Sequence, residues 1–318
     1  MADVEAAPRR GKRRDRTASD QRTGVDYPRW YWPGFTAPGL IWLIVFFILP
    51  FYVVVSVAFG TVDPLFRTPL PVYQPWWWSF QTFSQTLEKF TTSGGIYIDP
   101  LVRTLEYVVA ASAICLVIGY AVAYYTARFA GKRRGLILVL LITPFWISYL
   151  MRIYAWQSLL QPDGYINDFL GIFRMAPVEW LAGKPITVVL GLVYGYIPFM
   201  ILPLFGSLDR INQSLLEAGR DLGAGPFQTF RRVTLPLSKP AILAGLVIVS
   251  LPMFGDYYTN NLLGTTTTSM YGNLLDAAVG QSGQGPELGS LTLILVVLVM
   301  IPMLYYLRAT KRAAEGRT

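Results

Sequence analysis

Glu217-Ala218-Gly219-Arg220-Asp221-Leu222-Gly223-Ala224-Gly225-Pro226, continued by Arg231-Arg232 and closed by Val233-Thr234-Leu235-Pro236, is a charged, glycine-punctuated stretch set between two long apolar runs. A polar segment so placed is positioned to touch something soluble. Ile211, Leu215, Ala218 and Leu222 recur at four- and three-residue intervals, which predicts a helix with one apolar stripe. Gly219 and Gly223 fall four apart beside that stripe and leave room for another surface. Gly225-Pro226 then stops the helix, because glycine accepts left-handed dihedrals and proline suits a first helical turn. A second short helix carries Phe227, Phe230, Arg231 and Val233 until Pro236 ends it. The expected product is a bent two-helix projection.

What surrounds this stretch decides the fold class. The 318-residue chain is 53% hydrophobic and only 14% charged, where a soluble domain carries about a quarter charged residues. Its apolar residues gather in runs near or above ~18 residues, the length that crosses a bilayer. The chain is therefore read as an all-α integral membrane protein. It contains no histidine, which excludes histidine acid–base chemistry and histidine metal ligation. The single cysteine, Cys115, lies in an apolar run and is a small packing residue. No Gly-x-x-x-x-Gly-Lys-Ser/Thr phosphate loop occurs, so any nucleotide site must belong to another chain.

In chain order, residues 1–30 are expected to be a disordered basic tail. Arg9-Arg10 and Arg13-Arg14 are not followed by the apolar core an export signal needs. Six spans follow, at roughly 36–59, 101–125, 135–149, 185–205, 240–263 and 288–307, within a membrane domain over 31–310. Trp30, Tyr31 and Trp32 suit an interfacial belt, and Pro50 should kink the first span. The 60–100 loop holds Trp76-Trp77-Trp78 and then Phe80, Phe83, Leu87 and Phe90 at helical spacing. That pattern fits a short amphipathic helix at the outer interface or a loop packed on neighbouring spans. Pro162-Asp163-Gly164 marks a turn. The polar interruption occupies 207–239, and residues 311–318 form a second tail.

Basic residues set the orientation. Of the 27 lysines and arginines, eight lie in the first thirty residues, four at 128–134, five at 210–239 and four after the last span. An inside N-terminus puts all of these on one side and leaves Arg67, Lys89, Arg103, Arg152, Arg174 and Lys184 for the other, which places both termini and the Glu217 segment in the cytoplasm. Charges clustered at span ends are topology signals, so the net charge of +8 does not argue for nucleic acid. Lipid headgroups are the partner such flanks imply.

The interruption resembles the cytoplasmic coupling loop of ABC importer permeases. The family pattern runs Glu-Ala-Ala, three residues, Gly, nine residues, Ile-x-Leu-Pro. Here Gly219 replaces the second alanine and Val233 the isoleucine, while Glu217, Ala218, Gly223, Leu235 and Pro236 keep their places. Two further stretches look like the third- and fifth-span signatures of the spermidine/putrescine branch. These are Pro144-Phe145-Trp146-Ile147-Ser148 with Arg152-Ile153-Tyr154-Ala155-Trp156, and Phe254-Gly255-Asp256-Tyr257-Tyr258-Thr259 with Leu262-Leu263-Gly264.

The resemblance implies a type I importer permease with six transmembrane helices in a bacterial cytoplasmic membrane. It implies two copies of an ATP-binding subunit carrying ATP and magnesium, a second and distinct permease, and an extracytoplasmic substrate-binding protein. This chain itself would bind no cofactor and catalyse nothing. The cargo would be a polyamine, with ferric iron, thiamine or another small solute as alternatives. An autonomous secondary transporter or channel is disfavoured, because acidic residues inside spans are few and no six-span half is repeated.

Candidate residues follow. Glu217 meets a basic residue of the ATPase or braces its own loop near Arg220 or Arg231. Ala218, Gly219 and Gly223 are expected to be small so that the ATPase can approach, with Val233, Leu235 and Pro236 completing the coupling segment. Asp256 lies sixteen residues beyond Pro240, ~24 Å along a helix and so in the outer half of the membrane. An ionisable group there costs about 2.5–3.5 kcal/mol and must face protein or water. Flanked by Tyr257 and Tyr258, it suits a cationic substrate; a helix cap or an interhelical hydrogen bond is the alternative. Trp146, Tyr149, Tyr154 and Trp156 either line the pathway or pack. Arg152, which would repel a polyamine, is expected in a salt bridge or at a headgroup. Arg103 should pair with Glu106. Asp163, Asp168, Asp276 and Glu287 are candidates for docking the binding protein.

Overall fold

The computed structural model describes residues 30–92 and 95–314. The expected tail over residues 1–29 and the last four residues of the second tail lie outside these. The chain divides into two units, residues 1–52 and 53–318. Helix α1, Tyr31–Ala58, is long and apolar enough to cross a membrane. In the first unit it buries nothing and leaves Leu40, Ile41, Trp42 and Phe46 exposed. Such a surface needs an apolar surrounding.

Two π turns answer two prolines. In α1 the Leu49 N–H donates to the Ile44 carbonyl across a π turn at Ile44–Ile48, immediately ahead of Pro50. Proline has no N–H for the carbonyl four residues back and its ring crowds that carbonyl. The wider π turn gives it room. The same device recurs at Phe230–Thr234, where the Leu235 N–H donates to the Phe230 carbonyl just ahead of Pro236. Pro236 therefore does not end a helix. A single run, Pro226–Phe254, carries the chain from the polar interruption through the fifth span.

The second unit begins with the last turn of α1. A two-residue antiparallel hairpin, β1 (Thr61–Val62) and β2 (Pro69–Leu70), follows. Its turn is held by Asp63, whose carboxylate accepts the N–H groups of Leu65 and Phe66 at 2.8 and 2.9 Å. Those two donors, Phe66 first, hold the Asp63 carboxyl below the usual carboxylate range. Helix α2, Gln81–Thr91, is the amphipathic helix suggested by the aromatic spacing. It packs on the last helix with Thr86 buried and Phe83 and Phe90 half-buried, while Phe80 and Leu87 stay exposed. Both open readings of this stretch thus hold in part: it is helical and it packs on protein.

Helices α3 (Ile98–Arg128) and α7 (Pro185–Arg210) form the central pair. Helix α9 (Pro226–Phe254) crosses both. Met200 of α7 is fully buried at their meeting point. A Cβ on Gly119 of α3 would sit 2.9 Å from Met200 Cγ, and one on Gly245 of α9 would sit 2.6 Å from its sulfur. Glycine on two helices is what lets this thioether thread between them. Cys115 is buried in the same core, its thiol 3.7 Å from the Val193 carbonyl.

The third span is not straight. Helix α4 (Arg134–Ile142) runs into a 3-10 turn at Thr143–Trp146, and α5 (Tyr149–Leu159) leaves at 89°. Pro144 is the second residue of the 3-10 turn, and Ile147 and Ser148 leave helical geometry, so the backbone bends near the expected end of the span and continues as α5 beyond it. Helices α6 (Tyr165–Ile172) and α8 (Gln213–Asp221) precede and follow α7. Helices α10 (Tyr258–Leu263), α11 (Tyr271–Ala278) and α12 (Gly285–Ala314) complete the chain. Among the described residues, five helices are long and apolar enough to span a membrane, six if the bent pair counts as one.

One expected ion pair is replaced, and one expected docking residue is engaged within the chain. Arg103 donates to the Ser269 carbonyl at 3.3 Å instead of pairing with Glu106, because α11 and its approach lie over that face of α3. Glu287, expected on an outer surface, turns inward to Lys89 and the Tyr97 hydroxyl and clamps α2 to α12.

Candidate functional site

The α7–α8–α9 connection is built by local signals. Ile211 and Asn212 are extended, and the Asn212 side chain caps α8 by accepting the Ser214 N–H at 3.1 Å. Because Ile211 precedes the cap, it is out of helical register with Leu215. The expected stripe is accordingly split. Ile211 and Leu216 face inward, each 9% exposed, whereas Leu215, Ala218 and Leu222 share the outer face, with Leu222 at 89%. Glu217 is exposed on that helix, and among the described residues it forms no ion pair with Arg220 or Arg231.

The helix ends at Asp221 and is closed by Gly223, two residues before Gly225. Gly223 has φ +81, its N–H donates to the Arg220 carbonyl at 2.8 Å, and the Ala224 N–H reaches the Gly219 carbonyl at 3.1 Å. This is a Schellman motif, and the left-handed residue in it is the reason for glycine. Gly219 faces the other half of the loop: a Cβ there would meet Thr229 at 3.6 Å and Val233 at 3.9 Å, ordinary contacts. Within this chain, backbone conformation accounts for Gly223, while a side chain at Gly219 would meet only ordinary contacts.

The projection is fastened to the bundle. The Phe230 ring lies edge-on to Tyr120 and Tyr124 of α3, with centroids 5.7 Å away in both cases. Tyr120 and Ser238 hydroxyls are 3.0 Å apart, Arg128 donates to the Ile211 carbonyl at 3.2 Å, and Arg134 pairs with Asp209 at 2.9 Å. Val233 and Leu235 are half-buried and Pro236 is exposed.

Asp256 occupies a second centre. It does not lie within a continuous span: α9 stops at Phe254 and α10 starts at Tyr258. Asp256 is 5% exposed. Its Oδ1 accepts the Thr259 N–H at 2.9 Å, and its Oδ2 accepts hydroxyls from Tyr149 at 2.7 Å, Tyr196 at 3.0 Å and Thr259 at 2.9 Å. The side chain caps α10 and ties α5, α7 and α10 together, the alternative left open by sequence. Close packing supports it. A Cβ on Gly195 would lie 2.7 Å from Tyr149 Cε2, and one on Gly191 would lie 2.6 Å from Leu263. Tyr196 escaped sequence reading; its signal was a hydroxyl inside an apolar span, two residues before Pro198.

The other named residues do not converge there. The Tyr257 and Tyr258 rings pack on each other, 4.0 Å between centroids. Trp146 is 83% exposed. Asp163 and Asp168 lie on the surface, and Asp276 is exposed and accepts from Asn261 at 3.1 Å. Arg152 has no salt bridge among the described residues. It is 8% exposed and its guanidinium lies 4.1 Å from the Phe145 ring centroid, with Tyr149 and Tyr194 at 5.5 and 5.7 Å.

Residues 115–313 match the family described as the binding-protein-dependent transport system inner membrane component. This chain belongs to that family. It is 34% identical over 274 residues to the spermidine/putrescine transport system permease protein PotB of Escherichia coli K12, covering 85% of this chain and 94% of the relative. The Haemophilus influenzae PotB is 36% identical with 85% and 91% coverage. Among solved structures, a bacterial alginate ABC transporter in complex with its pentasaccharide-bound periplasmic protein contains a similar chain, with TM-score 0.70, 17% identity, and 89% and 95% coverage. The inward-facing MetNI methionine ABC transporter gives TM-score 0.52 at 18% identity, covering 68% of this chain and 95% of that one. These likenesses establish the fold, that of a type I ABC importer permease.

The family match places this inner membrane component as a multi-pass membrane protein. It runs from the middle of α3 into α12 and contains both the α8 projection and the Asp256 centre. The hairpin and α2 fall outside it.

Proposed function

We propose that the chain is one of two permease subunits of an ATP-driven importer and forms half of a pathway for polyamines such as spermidine and putrescine. The observation that carries this reading is the outward face of α8. Leu215, Ala218 and Leu222 form an apolar stripe on a short helix rigidly fastened beneath the bundle, a surface suited to a groove on an ATP-binding subunit. Two such subunits, holding ATP and magnesium, would drive the cycle, and this chain would do no chemistry of its own. The charge distribution supports a cytoplasmic position for α8 and both termini. Asp163, Asp168 and Asp276 on the opposite side suit docking of an extracytoplasmic binding protein. The polyamine reading draws on the PotB relatives.

Asp256 is proposed as a structural tie, its four donors leaving it poorly placed to take a substrate ammonium. The exposed Tyr258 and its partner Tyr257 are better placed for that contact. Reconstitution with the ATPase, the second permease and the binding protein tests the function. Spermidine or putrescine should be taken up with ATP hydrolysis. Uptake of thiamine or ferric iron instead would replace the cargo, and uptake by this chain alone would overturn the importer reading.

A further inference from the structure

We propose that the aromatic box of Phe145, Tyr149 and Tyr194 is a binding site for an alkylammonium group, filled by the guanidinium of Arg152 until a substrate cation displaces it. The cationic-cargo part of this inference rests on the polyamine reading above.

The box is assembled from three elements: the 3-10 turn at the bend, the first residue of α5, and α7. Arg152 reaches it from the fourth position of α5, where its own N–H donates to Ser148. Guanidinium over aromatic faces is the arrangement that binds organic cations, so the box already acts as a cation receptor. The Tyr149 hydroxyl is engaged by Asp256 and Thr259, which fixes the ring and leaves its face for a cation.

What does not hold Arg152 matters as much. Its Nε and Nη1 are buried and have no hydrogen-bond partner. The ion pairs among the described residues, Lys89–Glu287 and Arg134–Asp209, do not include it. It also lies in the first turn of α5, the positive end of the helix dipole. An arginine serving as a strut would have its donors satisfied and a carboxylate nearby. This one is held by ring faces alone, an attraction that an incoming ammonium can supply equally. A polyamine offers that group on a slim alkyl chain, and a guanidinium displaced into water would regain the hydrogen bonds its buried nitrogens lack. The box stands at the 89° bend between α4 and α5, so its contents bear on the geometry of that joint.

A site occupied by its own side chain nine-tenths of the time binds its ligand about tenfold more weakly than when empty. Equilibrium binding of radiolabelled spermidine to the assembled transporter, without the binding protein, measures this. Arg152→Gln should bind about tenfold tighter, Arg152→Lys should resemble the parent, and adding Phe145→Leu to Arg152→Gln should remove the gain. Unchanged or weaker binding by Arg152→Gln would overturn the proposal. A measurement on the parent protein guards against misfolded variants. Spermidine or tetramethylammonium should speed phenylglyoxal modification of Arg152, followed by mass spectrometry, and an unchanged rate also overturns it. If the parent transporter fails to take up spermidine while tetramethylammonium still gains affinity in Arg152→Gln, the polyamine reading fails and the cation box stands.

Discussion

The Tyr149 hydroxyl donates to Asp256 Oδ2 across 2.7 Å, joining the first turn of α5 to the break between α9 and α10. The carboxylate at the other end of that bond is buried and takes three further donors, so removing it strands several polar groups at once. Each buried donor left unpaired costs about 1–3 kcal/mol. Asp256→Ala should therefore destabilise the permease by at least about 2 kcal/mol. Asp256→Asn, which keeps an oxygen for the Thr259 N–H, should cost about half as much or less. Thermal unfolding of the purified transporter in lipid nanodiscs separates the two. Equal midpoints for Asp256→Ala and the parent would mean that the carboxylate is not a structural tie.

Gly195 makes room for the tyrosine. A methyl group there would press on Tyr149 Cε2 at 2.7 Å and on its hydroxyl at 3.1 Å. Gly195→Ala should cost about 1–3 kcal/mol as overpacking. In a Tyr149→Ala background the same change should cost less than about 0.5 kcal/mol, because neighbouring substitutions couple through the shared contact. A double-mutant cycle on unfolding midpoints reads the coupling; additive effects would show that the two residues do not press on each other.

The two glycines of the α8 loop should respond in opposite ways. Gly223 holds φ +81, where an L side chain costs about 1–2 kcal/mol. Gly219 is helical with only ordinary contacts awaiting a Cβ, so Gly219→Ala should lie within about 0.5 kcal/mol of the parent. ATP-driven uptake in cells should survive Gly219→Ala and fall with Gly223→Ala. The reverse order would show that small size at Gly219, and not backbone conformation at Gly223, governs this loop.

Sequence and structure agree where the governing signals are local. The α8 projection was readable because Gly223, Pro226 and the surrounding periodicity act within a few residues of each other, although Ile211 misled the stripe by standing just outside the Asn212 cap. The aromatic spacing of 80–90 gave α2 for the same reason. Long-range packing was not readable. Gly255 and the polar Thr259-Asn260-Asn261 beside Asp256 were local signals of a break, outweighed in reading by Leu262 and Leu263, which resume the apolar run; what no local pattern announced is that Tyr149 and Tyr196 come from other helices to meet the carboxylate. Pro236 looked like a stop because the π turn that absorbs it leaves no mark on composition. Glu287 and Arg103 changed partners for a similar reason: Lys89 and Ser269 are distant in sequence and close only once α2 and α11 have packed.

Coupling through α8 makes one further demand. Leu222 is 89% exposed and touches nothing that the permease needs for folding, so Leu222→Asp should leave unfolding within about 0.5 kcal/mol of the parent. Burying a charge against an apolar groove on the ATPase would instead block docking. The measurement is ATP-dependent spermidine uptake by the complete transporter in proteoliposomes, made with parent and Leu222→Asp permease of matched stability. Uptake driven by ATP in the parent and lost in the variant, with the ATPase no longer retained on the permease, is the expected result. Full uptake by Leu222→Asp, with the ATPase still bound, would contradict the assignment of α8 as the joint through which ATP hydrolysis moves this permease.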